Sequence, residues 1–397
     1  MELAAFSISR LPRIYYGSGR INDVPALAAN YGTNALVVTG KQSFCASPRW
    51  KIFVDSLEAK GLHWLHFTVS GEPSPTLVDD AVMQFRDDKV DVVIAIGGGS
   101  VLDAAKAIAG LLPHGNSVMD HLEGVGKNIP YHGPSTPFIA VPTTAGTGSE
   151  ATKNSVLSVA GRDGFKKSFR DECLVPEYAV IDPDLLASCP PELVAADGMD
   201  AFTQLLESYV SSKANPFIDA LAWSGMLAVK EGLFTAWEGK EPAASQGRSA
   251  MAYAALLSGI TLAQVGLGSV HGLASPLGAY FPIPHGVVCG TLVAAATEIN
   301  IKAMQSREPS NKALSKYAQV GRMLADRPEM DDGSSHAALI ELLVQWSKRL
   351  NLPRLNNYGI KVEDFPLIVA NSRGSSMLTN PIVLTDNEIT NILSLRI

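Results

Sequence analysis

Two regimes of hydrophobic patterning divide the chain near residue 183. Before it, short β-rich apolar runs alternate with helical stretches: ALVVTG (35–40), LHFTVS (65–70), VDVVIAIG (90–97), PFIAVP (137–142) and YAVIDP (178–183). That alternation predicts a mostly parallel α/β sheet. After DLLASCPPELVAADG the pattern turns helical almost to the end, with NPFIDALAWSGMLAVKEGLF and SAMAYAALLSGITLAQ carrying apolar residues three and four apart. We therefore expect an α/β domain over 1–183 and an all-α domain over 184–397. In DGMDAFTQLLESYVSSKANPF, Phe202, Leu205, Leu206 and Tyr209 form one apolar helix stripe, with Asp200, Gln204 and Glu207 on the other side. That polar edge is either a solvated face or the wall of a cleft.

The stretch SVHGLASPLGAYFPIPHGVV sets His271 and His285 fourteen residues apart with Pro282 and Pro284 between them. One helix cannot run through both prolines, so two helix ends meeting at a bend are expected, each presenting an imidazole. Two core histidines with hydrogen-bond partners are one reading. A metal shared with Asp200 is the other.

Composition narrows the function classes. The 397 residues are 46% hydrophobic, enough for a large core in two domains. A net charge of −7, with no dense run of Lys and Arg, offers nucleic acid no electrostatic footprint. No segment reaches membrane-spanning length without Gly, Pro or polar breaks, and the N-terminus has no uninterrupted apolar signal core, so a cytoplasmic protein without a membrane partner is expected. Cys45, Cys173, Cys189 and Cys289 are widely spaced and read as reduced and structural, with Cys289 close in sequence to His285.

Two glycine-rich turns suggest a nucleotide. In DVVIAIGGGSVLDAAKAIAG a buried strand runs into Gly97, Gly98 and Gly99, after which Ser100 and Asp103 are expected to form a capping pair. Strand, glycine turn and helix N-terminus make an anion site suited to a pyrophosphate, although neither G-x-G-x-x-G nor a Walker A ending is present. A second turn, VPTTAGTGSEAT, sets Thr143, Thr144, Thr147 and Ser149 among glycines, where hydroxyls and amides suit ribose and phosphate.

Taken in order, PRIYYGSGR, GEPSPT, IGGGSVLDAAKAIA, VPTTAGTGSEAT, VIDPDLL, GMDAFTQLLESYVSSKANPFIDALA, HGLASPLGAYFPIPHGV and LTNPIVLT resemble the iron-containing (group III) alcohol dehydrogenase family along essentially the whole chain. The resemblance implies a Rossmann-like dinucleotide-binding domain, a helical metal- and substrate-binding domain as in dehydroquinate synthase, catalysis between them, and a homodimer. It implies that the GGGS turn receives the pyrophosphate, that TTAGTGS wraps the ribose and nicotinamide side, and that Lys166 lies near the nicotinamide ribose. The family's D-x-x-x-H, H-G/A-x-A and P-H-G metal ligands fall on Asp200, position 204, His271 and His285. Position 204 is Gln204, a weaker neutral donor, and the place of a further family histidine near the substrate is Ser275.

Asp200, His271 and His285 still make a set of three, as in the related glycerol dehydrogenases, so Fe²⁺ is the family default and Zn²⁺ its competitor. The implied reaction is hydride transfer between a small alcohol and its aldehyde or ketone and a nicotinamide cofactor. At the end of the second strand, where NAD-preferring relatives read VTD, the chain has Gly40, with Lys41 and Ser43 beyond it. Loss of the acidic side chain favours NADP(H) over NAD(H). Two rivals are a dehydroquinate synthase-like lyase and a non-catalytic nucleotide-binding homologue with a decayed metal site.

Overall fold

The computed structural model describes residues 5–397. Strands β1 (Arg13–Tyr16), β2 (Asn34–Gly40), β3 (His63–Val69), β4 (Val92–Gly97), β5 (Phe138–Pro142) and β8 (Tyr178–Ile181) form one sheet, ordered β1-β8-β5-β4-β2-β3 and parallel throughout. Side chains alternate across a strand, so Ala35, Val37, Val92, Ile94 and Ile96 pack under α1 (Val24–Ala28) and α2 (Pro48–Ala59). Leu36, Val38, Val93 and Ala95 pack on the other face under α3 (Pro75–Phe85) and α4 (Gly99–Leu111). The chain runs outward from β2 to β3 and returns on the far side of β2 with β4. The carboxyl ends of β2 and β4 therefore flank the topological switch point, where ligands of such sheets bind.

All five strands expected from the sequence are present. Two features are additional: the short edge strand β1, and an antiparallel hairpin of β6 (Asn154–Val159) and β7 (Phe165–Arg170). The hairpin reaches across to the helical half, where the Gly161 amide donates to the Ala279 carbonyl at 3.1 Å.

The helical half comprises α5 (Pro191–Val210), α6 (Pro216–Glu238), α7 (Ala243–Val265), α8 (Ser269–Tyr280), α9 (His285–Arg307), α10 (Lys312–Ala325), α11 (Asp332–Arg349), α12 (Phe365–Asn371) and α13 (Asp386–Ser394). Their apolar faces share one core. Among the described residues α9 alone is long and apolar enough to cross a bilayer, but 89% of its most apolar window is buried inside the fold, as befits a core helix. The halves meet closely where the backbones of Gly148 and Gly259 touch, and the Tyr16 hydroxyl donates to the Ser249 carbonyl at 2.7 Å.

Candidate functional site

The prolines end one helix and start the next as the sequence suggested: α8 stops at Tyr280, Pro282 and Pro284 occupy the break, and α9 starts at His285. His271 lies in the first turn of α8 and faces His285 with ring centroids 5.4 Å apart. Asp200 joins them from α5, which α9 approaches closely because Gly286 and Gly290 present no side chain. A Cβ there would lie 2.7 Å from the Ala196 carbonyl oxygen and 2.8 Å from the Met199 Cβ respectively. This near contact of two helix backbones sets His285 and Cys289, one turn apart, over Asp200.

The donor atoms converge. Asp200 Oδ1 is 3.3 Å from His271 Nε2 and 3.8 Å from His285 Nε2. Asp200 is fully buried, and its Oδ2 has no hydrogen-bond partner, nor has Nδ1 of His285. A buried carboxylate oxygen left without a donor beside two imidazole nitrogens is costly unless a cation satisfies it, so these residues fit a divalent metal. Burial favours the neutral form of His285 and pushes its imidazole down to about 4, despite the pull of Asp200. Neutral imidazole is the form that ligates metal. Burial also opposes ionisation of Asp200, yet His285 and His271 hold its carboxyl below the usual range. His285, with 28% of its side chain exposed, is the accessible side of the cluster, whereas His271 and Asp200 are closed off.

Gln204 lies one turn beyond Asp200 on α5, with its Oε1 accepting from the Ser258 hydroxyl at 2.6 Å. Glu207, which the sequence placed on the polar edge without a role, completes that edge. Its Oε2 accepts from His271 Nδ1 at 2.7 Å and its Oε1 from the Val270 amide at 2.7 Å. One carboxylate thus ties down the first turn of α8 and fixes the imidazole with Nε2 directed at Asp200, the arrangement that orients metal-ligating histidines. The spacing of Glu207 seven residues after Asp200 was the available signal. Glu207→Gln should keep the fold and weaken metal affinity by about 10- to 100-fold, read by metal titration of the stripped protein. An unchanged affinity would remove this orienting role.

The cofactor candidates gather around the switch point. Gly40 ends β2 and sits beside Val101 of α4, with Lys41 and Ser43 exposed next to it. Gly97, Gly98, Gly99 and Ser100 carry the chain from β4 into α4, whose first amides lack intrahelical acceptors. The second turn packs on the first: Gly98 faces Thr144, Gly99 faces Thr147, and the Thr143 amide donates to the Gly97 carbonyl at 2.9 Å.

The expected Ser100–Asp103 capping pair does not form: the N-cap of α4 is Gly98, and no side chain caps the helix. Asp103 instead accepts from the Ser149 hydroxyl and the Val156 amide, which draws both Asp103 and Ser149 into an interior brace. Its centre is Lys106, fully buried, with Nζ 2.8 Å from the Ser149 carbonyl, 3.0 Å from Thr152 Oγ1 and 2.6 Å from the Asn154 carbonyl. Burial pushes this amine down to about 8. Lys166 rides on β7 to the other side of the cleft, where it pairs with Glu72 at 2.7 Å and lies against Gly278 of α8. Ser275 donates to the Lys166 carbonyl at 3.3 Å.

Comparison with known proteins agrees with this architecture. Residues 12–183 match the family model described as iron-containing alcohol dehydrogenase, and residues 194–396 match that of its C-terminal domain. The chain is 31% identical to NADPH-dependent butanol dehydrogenase of Clostridium saccharobutylicum, over 89% of this chain and 87% of that one. It is also 31% identical to NAD-dependent methanol dehydrogenase of Bacillus methanolicus, over 81% of each. A crystal structure of 1,3-propanediol oxidoreductase superposes with a TM-score of 0.89 at 27% identity, over 99% of this chain and 100% of that one. Neither the lyase nor the non-catalytic alternative is favoured by these likenesses.

Proposed function

The chain belongs to the iron-containing alcohol dehydrogenase family and is an oxidoreductase acting on CH–OH groups with a metal and a nicotinamide cofactor, and from that premise we propose that it interconverts small alcohols and their aldehydes or ketones with NADP(H), holding its metal on Asp200, His271 and His285. The convergence of one buried carboxylate and two imidazoles at the accessible end of α9 carries the reading. A divalent metal at these residues supplies Lewis acidity toward the substrate oxygen.

The chain's own residues do the rest. The two glycine turns would hold a dinucleotide through their amides and threonine hydroxyls. Lys166, held by Glu72 beside α8, stands where the two halves face each other and suits the nicotinamide ribose. A bound nicotinamide would supply the acceptor for the carbinol hydride in oxidation, with the hydroxyl proton left for the chain and solvent to remove. Ser275 has no group that titrates near neutral pH, so the proton would leave through water rather than through this side chain.

The cofactor preference rests on Gly40. A Cβ there meets nothing nearer than a Val101 methyl at 3.8 Å, which leaves room beside the adenosine ribose for a 2′-phosphate next to Lys41 and Ser43. Purified protein should consume NADPH faster than NADH with short aldehydes. Gly40→Asp should move the ratio of kcat/KM values toward NAD(H) by about 30-fold, roughly 2 kcal/mol of like-charge repulsion. A wild-type preference for NADH overturns the assignment. Small alcohols and aldehydes as substrates, and a homodimer as the assembly, belong to the same proposal.

A further inference from the structure

A fourth donor stands at the metal cluster. Cys289 follows His285 by one turn of α9 and is fully buried. Its Sγ lies 3.5 Å from His271 Nε2 and 3.8 Å from His285 Nε2, and the ligand atoms of Asp200, His271, His285 and Cys289 all fall within 4.8 Å of one another. A tetrahedral ion at about 2.0–2.1 Å from nitrogen or oxygen and about 2.3 Å from sulfur separates its donors by about 3.3–3.6 Å. Four of the six donor separations, 3.3, 3.5, 3.8 and 3.8 Å, are close to the edges of such a tetrahedron, and the other two stay within 4.8 Å.

Two further observations point to a ligand. Asp200 Oδ2, wholly buried, has no hydrogen-bond partner. Gln204, the other candidate on α5, has its amide oxygen taken by Ser258. Resting on the metal reading above, we propose that Cys289 ligates the metal through its sulfur and replaces the imidazole that the chain lacks at position 204. Coordination requires the thiolate, so the thiol proton passes to solvent as the metal–sulfur bond forms, with no change of oxidation state. A soft sulfur donor in an Asp-His-His-Cys set favours zinc over ferrous iron.

Cobalt(II) reports sulfur ligation directly. The full chain, stripped of metal and reloaded with cobalt(II) alone, should bind one ion per chain and show a thiolate-to-cobalt charge-transfer band in the near ultraviolet. Cys289→Ser should bind cobalt at least tenfold more weakly and lack that band at saturation. The other three cysteines lie elsewhere, Cys45 beside Thr39, Cys173 against Gly133 and Cys189 donating to the Thr143 carbonyl, so the band reports on Cys289. One cobalt per chain without the band in the wild-type protein overturns sulfur ligation and leaves the dehydrogenase reading standing. A band that persists in Cys289→Ser also overturns it. Absence of cobalt uptake by the wild-type chain removes the metal site altogether. The wild-type spectrum is decisive even if Cys289→Ser fails to fold, and Cys289→Ala then serves as the second variant.

Discussion

His285→Ala is expected to lose its bound metal and to lower kcat/KM by about 10³-fold or more, while the dissociation constant for the dinucleotide changes by less than about twofold. His285 is the most accessible donor of the cluster and the first residue of α9, so its truncation leaves the glycine turns untouched. Elemental analysis, turnover and cofactor titration on one preparation separate the effects. A variant that keeps one metal per chain and near-normal turnover would mean that the metal is held without this imidazole. Parallel loss of dinucleotide affinity would mean that the variant had disturbed the fold between the halves.

The second large effect lies at the junction. Gly148→Ala should destabilise the protein by about 3 kcal/mol or more, through two costs that act together. Gly148 has φ +62, in the left-handed region, and a Cβ there would lie 2.4 Å from both Cα and N of Gly259 and 2.7 Å from the Ala255 carbonyl oxygen. No side chain can rotate away, because the obstacles are backbone atoms of α7. Gly239 supplies the control: its φ is +67, but nothing lies within 4 Å of its Cβ position. Gly239→Ala therefore bears the conformational cost alone. Thermal unfolding should show the larger loss for Gly148→Ala, and equal losses would dismiss the close approach as an energetic factor.

The legible and illegible parts of this molecule differ in where their information resides. Strands such as VVIAIG are apolar on both faces because both faces are covered, so each announces itself locally. FKKSFR, by contrast, carries three charges in six residues and pairs only with β6 in a two-stranded arm, a setting that no local apolar signal marks. The polar edge of α5 could be read as a face but not as a buried one. Asp200, Gln204 and Glu207 lose their water to α7, α8 and α9, whose approach depends on partners from distant parts of the chain. The same distance hid the role of Asp103: its spacing from Ser100 fits a local cap, but the Ser149 hydroxyl and the Val156 amide, more than forty residues on, claim the carboxylate instead.

The brace around Lys106 has a consequence for binding kinetics and thermodynamics. By tying α4 to the Ser149, Thr152 and Asn154 segment, it holds the two glycine turns in one arrangement before any dinucleotide arrives. Conformational entropy that a mobile loop would surrender on association has already been lost during folding. On the proposed reading, a dinucleotide at these turns would meet a preorganised floor, and its affinity there would reflect contact quality rather than loop ordering.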